Sequence, residues 1–368
     1  MRILIFNWKD IKHGQAGGAE YATHKLAQEL VKLKHQVTVF SSQPKQLSAF
    51  ESIYGVSVYR GGNALTVYWQ AYKYYKNNYK KFDIVIDQIH GMPFFTPLYV
   101  KIPILVYIHE IAGPIWFKEF NWFLGLIGYF FEKIYFLIYR QNYFLTDTKH
   151  TASELEKHGI SHNRIFILPL TIDAKPLIKT AKTINPSIIY FGRITPMKQL
   201  ELLINATKIL IKKIPDLKVI IAGKAKEEYL NKLKKLITNS DLNQQILLEN
   251  NVSEKKKLNL LRQSWIQVHP SIKEGFGITV LEAATQATPT IAFDVPGLNL
   301  IIKNGVNGYI VKSDSVANLA SYVLSLIKDK SKLTQLQQSS YRWSKTFPIY
   351  KTVAKKLVLI LERVAKKR

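Results

Sequence analysis

Along the first half of the chain, short apolar runs alternate with stretches of helical periodicity. Strands are predicted over residues 3–6, 37–40, 84–86, 104–108, 143–145 and 165–168, with helices over 19–34 and 151–158 between them. Nearly solid apolar runs separated by amphipathic helices mean a parallel sheet covered on both faces. The second half repeats the scheme, with strands over 187–191, 218–222, 246–248, 266–269 and 290–293 and helices over 199–211 and 227–237. Residues 173–186, with three lysines and two prolines between strand signals, read as the linker. The expected layout is an N-terminal domain over 1–172, a second over 173–345, and a closing segment over 346–368 that contains an amphipathic helix at 350–364. In doubly wound sheets a ligand lies outside the carboxyl ends of the strands, so candidate chemistry is sought there.

The richest such place is 274–282, where Glu274 and Glu282 lie eight positions apart and Gly275 and Gly277 follow the first carboxylate. The glycines interrupt a helix and 278–287 forms one well, so the segment predicts loop, sharp turn and helix. Glu274 then sits in the loop and Glu282 on the second helical turn. The backbone N–H groups of Phe276, Gly277 and Ile278 point out of the helix start, where an anionic phosphate is favoured. Such a segment offers a phosphate cradle between two hydroxyl-binding carboxylates. Taken alone, a Gly-x-Gly turn or a helical Glu is more often merely structural.

Three further segments fall at predicted strand ends. Gly192, Arg193 and Lys198 follow the strand at 187–191, where Gly192 is expected to turn the chain and the two cations to neutralise a leaving diphosphate; the alternative is two ordinary surface cations. Gly17 and Gly18, in a run of Gly14, Gln15, Ala16, Gly17, Gly18, Ala19 and Glu20, would let backbone approach a ligand or merely cap a helix. His109 follows the strand at 104–108 and is as readily structural as catalytic; His90 ends the run at 84–89 and is the weaker candidate for acceptor contacts.

The run 268–292 resembles the E-x7-E signature of the family 4 (group 1) retaining glycosyltransferases. The G-R-x-x-x-x-K pattern at Gly192, Arg193 and Lys198 and the Gly-Gly-Ala-Glu loop from Gly17 to Glu20 are similar to the same family's motifs. The resemblance implies an α/β protein of GT-B fold, two doubly wound Rossmann-like domains facing a central cleft, with the acceptor on the first domain, the donor on the second, and the last helix, in 346–368, packing back on the first. It further implies that Glu274 holds the sugar hydroxyls, Glu282 the ribose, Arg193 and Lys198 the diphosphate, that Gly17 and Gly18 face donor phosphates and acceptor, and that His109 contacts the transferred sugar. Departures occur at Ala287, where relatives usually carry Gly, and at Leu300, where they often carry Glu.

Composition narrows the partners. The net charge of +26 calls for a polyanionic neighbour, and no nucleic-acid-binding signature accompanies it, so phosphorylated ligands and an anionic membrane surface are favoured over nucleic acid. About half of the lysine, including Lys255, Lys256 and Lys257, reads simply as solvated surface. No cysteine is present and the first residues read as a strand rather than a signal peptide, so a cytoplasmic location is expected. No Asp-x-Asp occurs and no His, Asp and Glu cluster has metal-ligand spacing, which predicts a metal-independent reaction with no cofactor beyond the nucleotide-sugar donor. The aromatic-rich segment 115–139 is either a buried helix or a docking element for the inner face of the membrane; its longest uncharged run, 120–131, falls short of the about 20 residues that span a bilayer.

The expected function is therefore transfer of a sugar, with retention, from a nucleotide sugar to a lipid-linked or cell-surface glycan acceptor. A GT-B sugar-nucleotide epimerase and a non-catalytic partner of a glycosylation complex are the rivals, and Glu274, Glu282, Arg193 and Lys198 together argue against the second.

Overall fold

The apolar runs of the first half become one eight-stranded sheet in a computed structural model that describes residues 1–14, 16–119, 121–172, 182–272, 274–312 and 315–366. Two compact units emerge, Met1–Thr171 with Ile349–Arg368, and Ile172–Pro348. In the first, β1 (Arg2–Phe6), α1 (Gly18–Lys32), β2 (Gln36–Ser41), β3 (Phe50–Ile53), β4 (Val56–Arg60), α2 (Val67–Asn78), β5 (Ile84–Ile89) and β6 (Ile104–Ile108) are followed by α3 (Trp116–Glu119), α4 (Trp122–Tyr139), β7 (Tyr143–Thr146), α5 (Lys149–Lys157) and β8 (Ile165–Ile167). Strand order is β3-β4-β2-β1-β5-β6-β7-β8, parallel except for the antiparallel β3–β4 hairpin. β5 and β6 are buried along their whole length, which is why they read as unbroken apolar runs.

β4 buries alternate residues, Val56, Val58 and Arg60, and the inward arginine cuts the apolar alternation to two positions, which hides the hairpin in the sequence. Its turn places Tyr54 at φ 51° and Gly55 at φ 83°, as a tight two-residue connection requires.

The second unit comprises β9 (Ser187–Ile194), α6 (Leu200–Ile211), β10 (Lys218–Ala225), α7 (Glu227–Thr238), β11 (Ile246–Asn250), α8 (Glu254–Gln263), β12 (Ile266–His269), α9 (Ile278–Thr285), β13 (Thr290–Phe293), α10 (Leu298–Ile301), β14 (Gly308–Val311), α11 (Val316–Lys328) and α12 (Lys330–Ser344). Its six strands are all parallel in the order β11-β10-β9-β12-β13-β14, the doubly wound arrangement whose direction switches between β9 and β12. The closing helix α13 (Tyr350–Lys366) buries Tyr350, Val353, Leu357 and Leu361 in the core of the first unit, beside Ile5, Ile86 and Leu145.

Two expectations need correction. Gly192 does not turn the chain: β9 runs on to Ile194, and Gly192 pairs with Gly223 of β10. The glycines are needed because a β-carbon on Gly223 would lie 1.7 Å from Gly192 O. Nor are residues 182–186 a loose linker, although 173–181 lie outside the described residues. Lys182 Nζ donates to Ser264 O (2.7 Å), Gln286 O (3.3 Å) and Thr288 Oγ1 (2.6 Å), and burial pushes its pKa down to about 7.

The aromatic segment is neither wholly buried nor wholly exposed. Gly125, Gly128, Glu132, Tyr135, Phe136 and Tyr139 of α4 face inward, while Trp122, Phe123, Ile127, Phe130, Ile134 and Leu137 are exposed. By length and apolarity α4 alone among the described residues meets the requirement for crossing a membrane, yet a third of it is buried.

Candidate active site

In the second unit, the sequence-predicted residues converge at the carboxyl ends of β9 and β12. β9 carries Arg193, which is exposed, and the short helical turn after it carries Lys198, which is buried. Lys198 Nζ donates to Glu274 Oε1, so these two residues, 76 positions apart, form one ion pair. Burial pushes the Glu274 carboxyl up, but Lys198 above all, with Arg193, outweighs it and holds the group below the ordinary glutamate value.

His269 lies beneath this pair, fully buried. It shares hydrogen bonds with Ser271 Oγ (2.8 Å) and Thr279 Oγ1 (3.0 Å), and burial lowers its pKa to about 4, so it stands there as a neutral support. Tyr190 packs edge-on against its ring at 5.3 Å and donates from Oη to Arg193 O (2.8 Å). The loop of Glu274 is further fixed by Gly297. Its φ is 85°, and a β-carbon there would lie 1.8 Å from Glu274 O, so the position admits no side chain.

The turn behaves as its glycines suggest. Gly277 takes φ 78° as the residue that opens α9, and Phe276 and Ile278 pack partly buried beside Val280, Leu281 and Leu298. In the first turn Val280 N donates to Gly277 O (2.9 Å), which leaves the N–H groups of Ile278 and Thr279 ahead of any intrahelical acceptor. Glu282 lies one turn inside α9 and is buried. Lys257 of α8 donates to it at 2.7 Å, pairs with Glu254 at 2.7 Å and sits 5.4 Å from the Phe191 ring. Burial raises the Glu282 carboxyl above its ordinary value even though Lys257 opposes the shift. In sequence, Lys257 is indistinguishable from the adjacent Lys255 and Lys256, both exposed. Its only mark is the helical spacing that turns it inward with Leu261.

At the departure Ala287, the backbone is left-handed, with φ 54°. Ala287 N donates to Ala284 O (3.0 Å) and Thr288 N to Ala283 O (3.0 Å), the paired bonds that end a helix at a position where glycine is preferred. A glycine at this position would therefore answer a backbone requirement. Leu300 is 41% exposed.

The first unit assembles a second cluster at the carboxyl ends of β1, β5, β6 and β7, where its strand order reverses between β1 and β5. His109 Nδ1 bonds Asp147 Oδ2 (2.5 Å), and Tyr107 Oη donates to Asp147 Oδ1 (2.7 Å). Gln88 Oε1 receives Asn7 Nδ2 (2.9 Å) and Thr23 Oγ1 (2.9 Å). Its amide nitrogen therefore faces His109 Nε2 at 2.7 Å, which assigns the proton of a neutral His109 to Nδ1. Burial lowers the His109 pKa, but Asp147, Glu20 and Glu110 carry it above the ordinary value. Both ring nitrogens of His109 are thus engaged, and contact with a substrate through Nε2 requires Gln88 to be displaced. The His90 ring lies 5.5 Å away.

Gly17 opens α1 in extended backbone and donates its N–H to Glu20 Oε2 (2.6 Å). Burial raises the Glu20 carboxyl, but His90, the Gly17 N–H and Lys9 bring it below the ordinary value. With Gly18 as the first helical residue, this end of α1 presents an ionised carboxylate, which suits a hydroxyl-bearing ligand better than a phosphate. Sequence reasoning misses Gln88, Asn7 and Asp147. Asp147 stands at the carboxyl end of a predicted strand, which is the available signal; the amides carry none. Among the described residues no group of three or more His, Asp or Glu side chains could hold a metal ion.

Comparison with known proteins agrees with this arrangement. The family model for glycosyl transferases group 1 matches residues 172–343, and that for Glycosyltransferase Family 4 matches 16–175. The chain is 25% identical over 226 residues to the poly(glycerol-phosphate) alpha-glucosyltransferase of Bacillus subtilis, a match covering 60% of this chain and 31% of that protein. Its fold is similar to that of the sucrose-phosphate synthase from Thermosynechococcus elongatus, with a TM-score of 0.83 at 16% identity over 99% of this chain and 98% of the other. Anabaena HepE, solved in complex with UDP and glucose, gives a TM-score of 0.77 at 17% identity over 99% and 100% of the two chains. Two parallel-sheet units with these motifs at their strand ends make the chain a member of the group 1, family 4 glycosyltransferases, with the GT-B fold.

Proposed function

We propose that the protein transfers a sugar from a nucleotide sugar to a lipid-linked or cell-surface glycan acceptor, with retention and without a metal ion. The observation that carries this reading is the pair of carboxylates at the two ends of the Gly275 to Gly277 turn, Glu274 held by Lys198 and Glu282 held by Lys257. Glu274 accepts hydroxyls of the donor sugar, Glu282 those of the ribose. Arg193 and the start of α9 face the diphosphate, supplying the positive charge that a divalent ion supplies elsewhere. The bond from the sugar C1 to the diphosphate oxygen breaks, the acceptor oxygen bonds to the same face of C1, and the acceptor proton passes to the leaving phosphate. The complex of Anabaena HepE with UDP and glucose supports a uridine nucleotide as the first donor to try. The positive charge of the chain and the exposed face of α4 support a place at the inner face of a membrane.

A thermal-shift panel of UDP, GDP and ADP sugars tests the donor, since binding to the native state raises stability by mass action. Turnover of the stabilising donor, followed as released nucleotide with EDTA present, tests the rest. We expect turnover to survive EDTA and to fall strongly in Glu274→Gln, Arg193→Ala and Lys198→Ala. Activity abolished by EDTA and restored by Mg²⁺ would overturn metal independence. Free epimerised nucleotide sugar in place of transfer would identify an epimerase instead.

A further inference from the structure

The sheet of the second unit is uneven along its carboxyl edge. β9 pairs with β12 only at Ile188 and Ile189, whereas it pairs with β10 as far as Ile194 and Ala225. β11 leaves β10 at Gly223. The last two rows of β9 and β10 therefore stand out as a two-stranded ribbon, and the first of those rows sets Arg193 beside Lys224. Register partners share a face and neighbouring strands lie about 4.8 Å apart, so the two cations project side by side. Both are exposed. Two residues back on the same face, Phe191 packs against Ile189, Leu261 of α8 and Ala283 of α9, and it lies under the Lys257 ammonium that holds Glu282. Arg193 and Lys224 thus emerge at the carboxyl end of the face that α8 and α9 cover.

Pairing sets these two cations apart from their neighbours. Lys198 is committed to Glu274, Lys257 to Glu282 and Lys256 to Glu249. Among the described residues neither Arg193 nor Lys224 enters an ion pair or a side-chain hydrogen bond, although Arg193 is close enough to help lower the Glu274 pKa. Like charges directly opposite each other on paired strands are destabilising. An anion seated between them removes that repulsion, and a diphosphate, with one negative charge on each phosphate, supplies one charge for each cation.

We infer that Lys224 is a further donor-binding residue, which with Arg193 grips the diphosphate of the nucleotide sugar. The inference rests on the donor reading above and adds to it a residue that carries selectivity for the diphosphate over a neutral ligand. Lys224 lies 31 positions from Arg193, and only the parallel register of β9 and β10 brings the two together.

A chain of net charge +26 attracts anions everywhere, so the test separates a local contact from the general field. Lys226 serves as the control, being exposed, two residues on, and past the ribbon at the start of α7. Full-length protein is titrated calorimetrically with UDP, GDP and ADP, with the corresponding nucleosides, and with inorganic pyrophosphate, at low and moderate salt. We expect Lys224→Gln to weaken the nucleoside diphosphate that binds, and pyrophosphate, by about tenfold. The nucleoside keeps its affinity, and the salt dependence of diphosphate binding becomes shallower. Lys226→Gln changes none of these. Lys224→Glu places opposite charges on the ribbon, so the free protein melts higher at low salt while diphosphate binding falls on the order of 100-fold, a loss that unfolding does not explain.

Diphosphate binding that survives Lys224→Gln, or that Lys226→Gln weakens equally, overturns the inference and leaves the transferase reading standing. Equal loss for nucleoside and nucleoside diphosphate moves Lys224 to the base or ribose and overturns it as well. Pyrophosphate held through Lys224 with no nucleotide bound keeps the anion site and removes the donor reading. Wild-type protein that binds neither removes both.

Discussion

Removing the Lys257 ammonium tests whether the buried end of the carboxylate pair is held as described. Lys257→Met keeps the volume of the side chain and deletes the charge that lies 2.7 Å from Glu282. Glu254, 66% exposed along its side chain, returns to water at little cost. Glu282 cannot do so, being 8% exposed. Breaking a buried pair by removing one partner costs about 3–5 kcal/mol. For a unit the size of Ile172–Pro348, 1 kcal/mol moves the melting temperature by about 2–4 °C, so a fall of about 6–20 °C is expected at neutral pH. The pH dependence has a definite sign. Glu282 already has a raised carboxyl pKa, and the substitution raises it further. A raised folded-state pKa favours the folded state below the unfolded value and loses that advantage as pH rises through the folded value. Calorimetric scans across about pH 5 to 8 should therefore show the variant least impaired at the acid end and most impaired above neutrality. Adding Glu282→Gln should restore most of the lost stability, because no unpaired charge remains, while donor affinity stays low. If Lys257→Met melts within about 2 °C of the wild type at pH 7, the carboxylate is solvated and the ribose-side geometry is wrong.

Three further outcomes follow from other parts of the structure. His24 and His269, both buried with pKa values near 4, are held neutral, so each contributes stability that is present above the ordinary histidine value of about 6.5 and is lost as pH falls toward about 4; melting temperatures that stay flat over that window would contradict their burial. Gly297→Ala should destabilise the second unit by roughly 2–4 kcal/mol and abolish donor-induced thermal shifts, since the new methyl group must displace the backbone of Glu274; a wild-type melt and a normal shift would show that the loop adapts. Asp147→Asn should let burial dominate at His109 and drop its pKa below the ordinary value, read from its imidazole NMR shifts, and an unchanged titration would dissociate the ring from Asp147.

What the sequence displays depends on how each segment is solvated. β6, β12 and β13 occur at the predicted residues because each is buried on both faces and bounded by polar turns. β3, β4 and β14 escape the sequence reading, and an edge position alone does not account for it, since the edge strands β8 and β11 fall on predicted apolar runs. The carboxylates and cations of the second unit are legible because their spacing is local: Glu274 and Glu282 belong to one loop and helix, Arg193 and Lys198 to one strand end. Their pairings are not, since Lys198 meets Glu274 across 76 positions and Lys257 meets Glu282 across 25. Only the sheet order brings them together. Gln88 shows the same limit from the other side, because an amide on a strand carries no charge or metal chemistry to mark it, and its importance arises from the three side chains it meets.

One departure can be turned into a gain. The left-handed backbone at Ala287 is forced by the paired hydrogen bonds to Ala284 and Ala283 that end α9, so the alanine methyl adds strain without contributing to the ligand face. A non-glycine residue in that region costs roughly 1–2 kcal/mol, and the greater freedom of glycine in the unfolded chain offsets part of what its substitution would gain. Ala287→Gly should therefore raise the melting temperature by about 2–4 °C, a net gain near 1 kcal/mol. The substitution moves neither Glu282 nor Lys257, so donor binding should be unchanged. A lower melting temperature would mean that Ala287, 8% exposed in the structure, contributes more by packing than it costs in strain. A changed donor preference would instead place the end of α9 among the determinants of specificity, which its distance along the helix from Glu282 argues against.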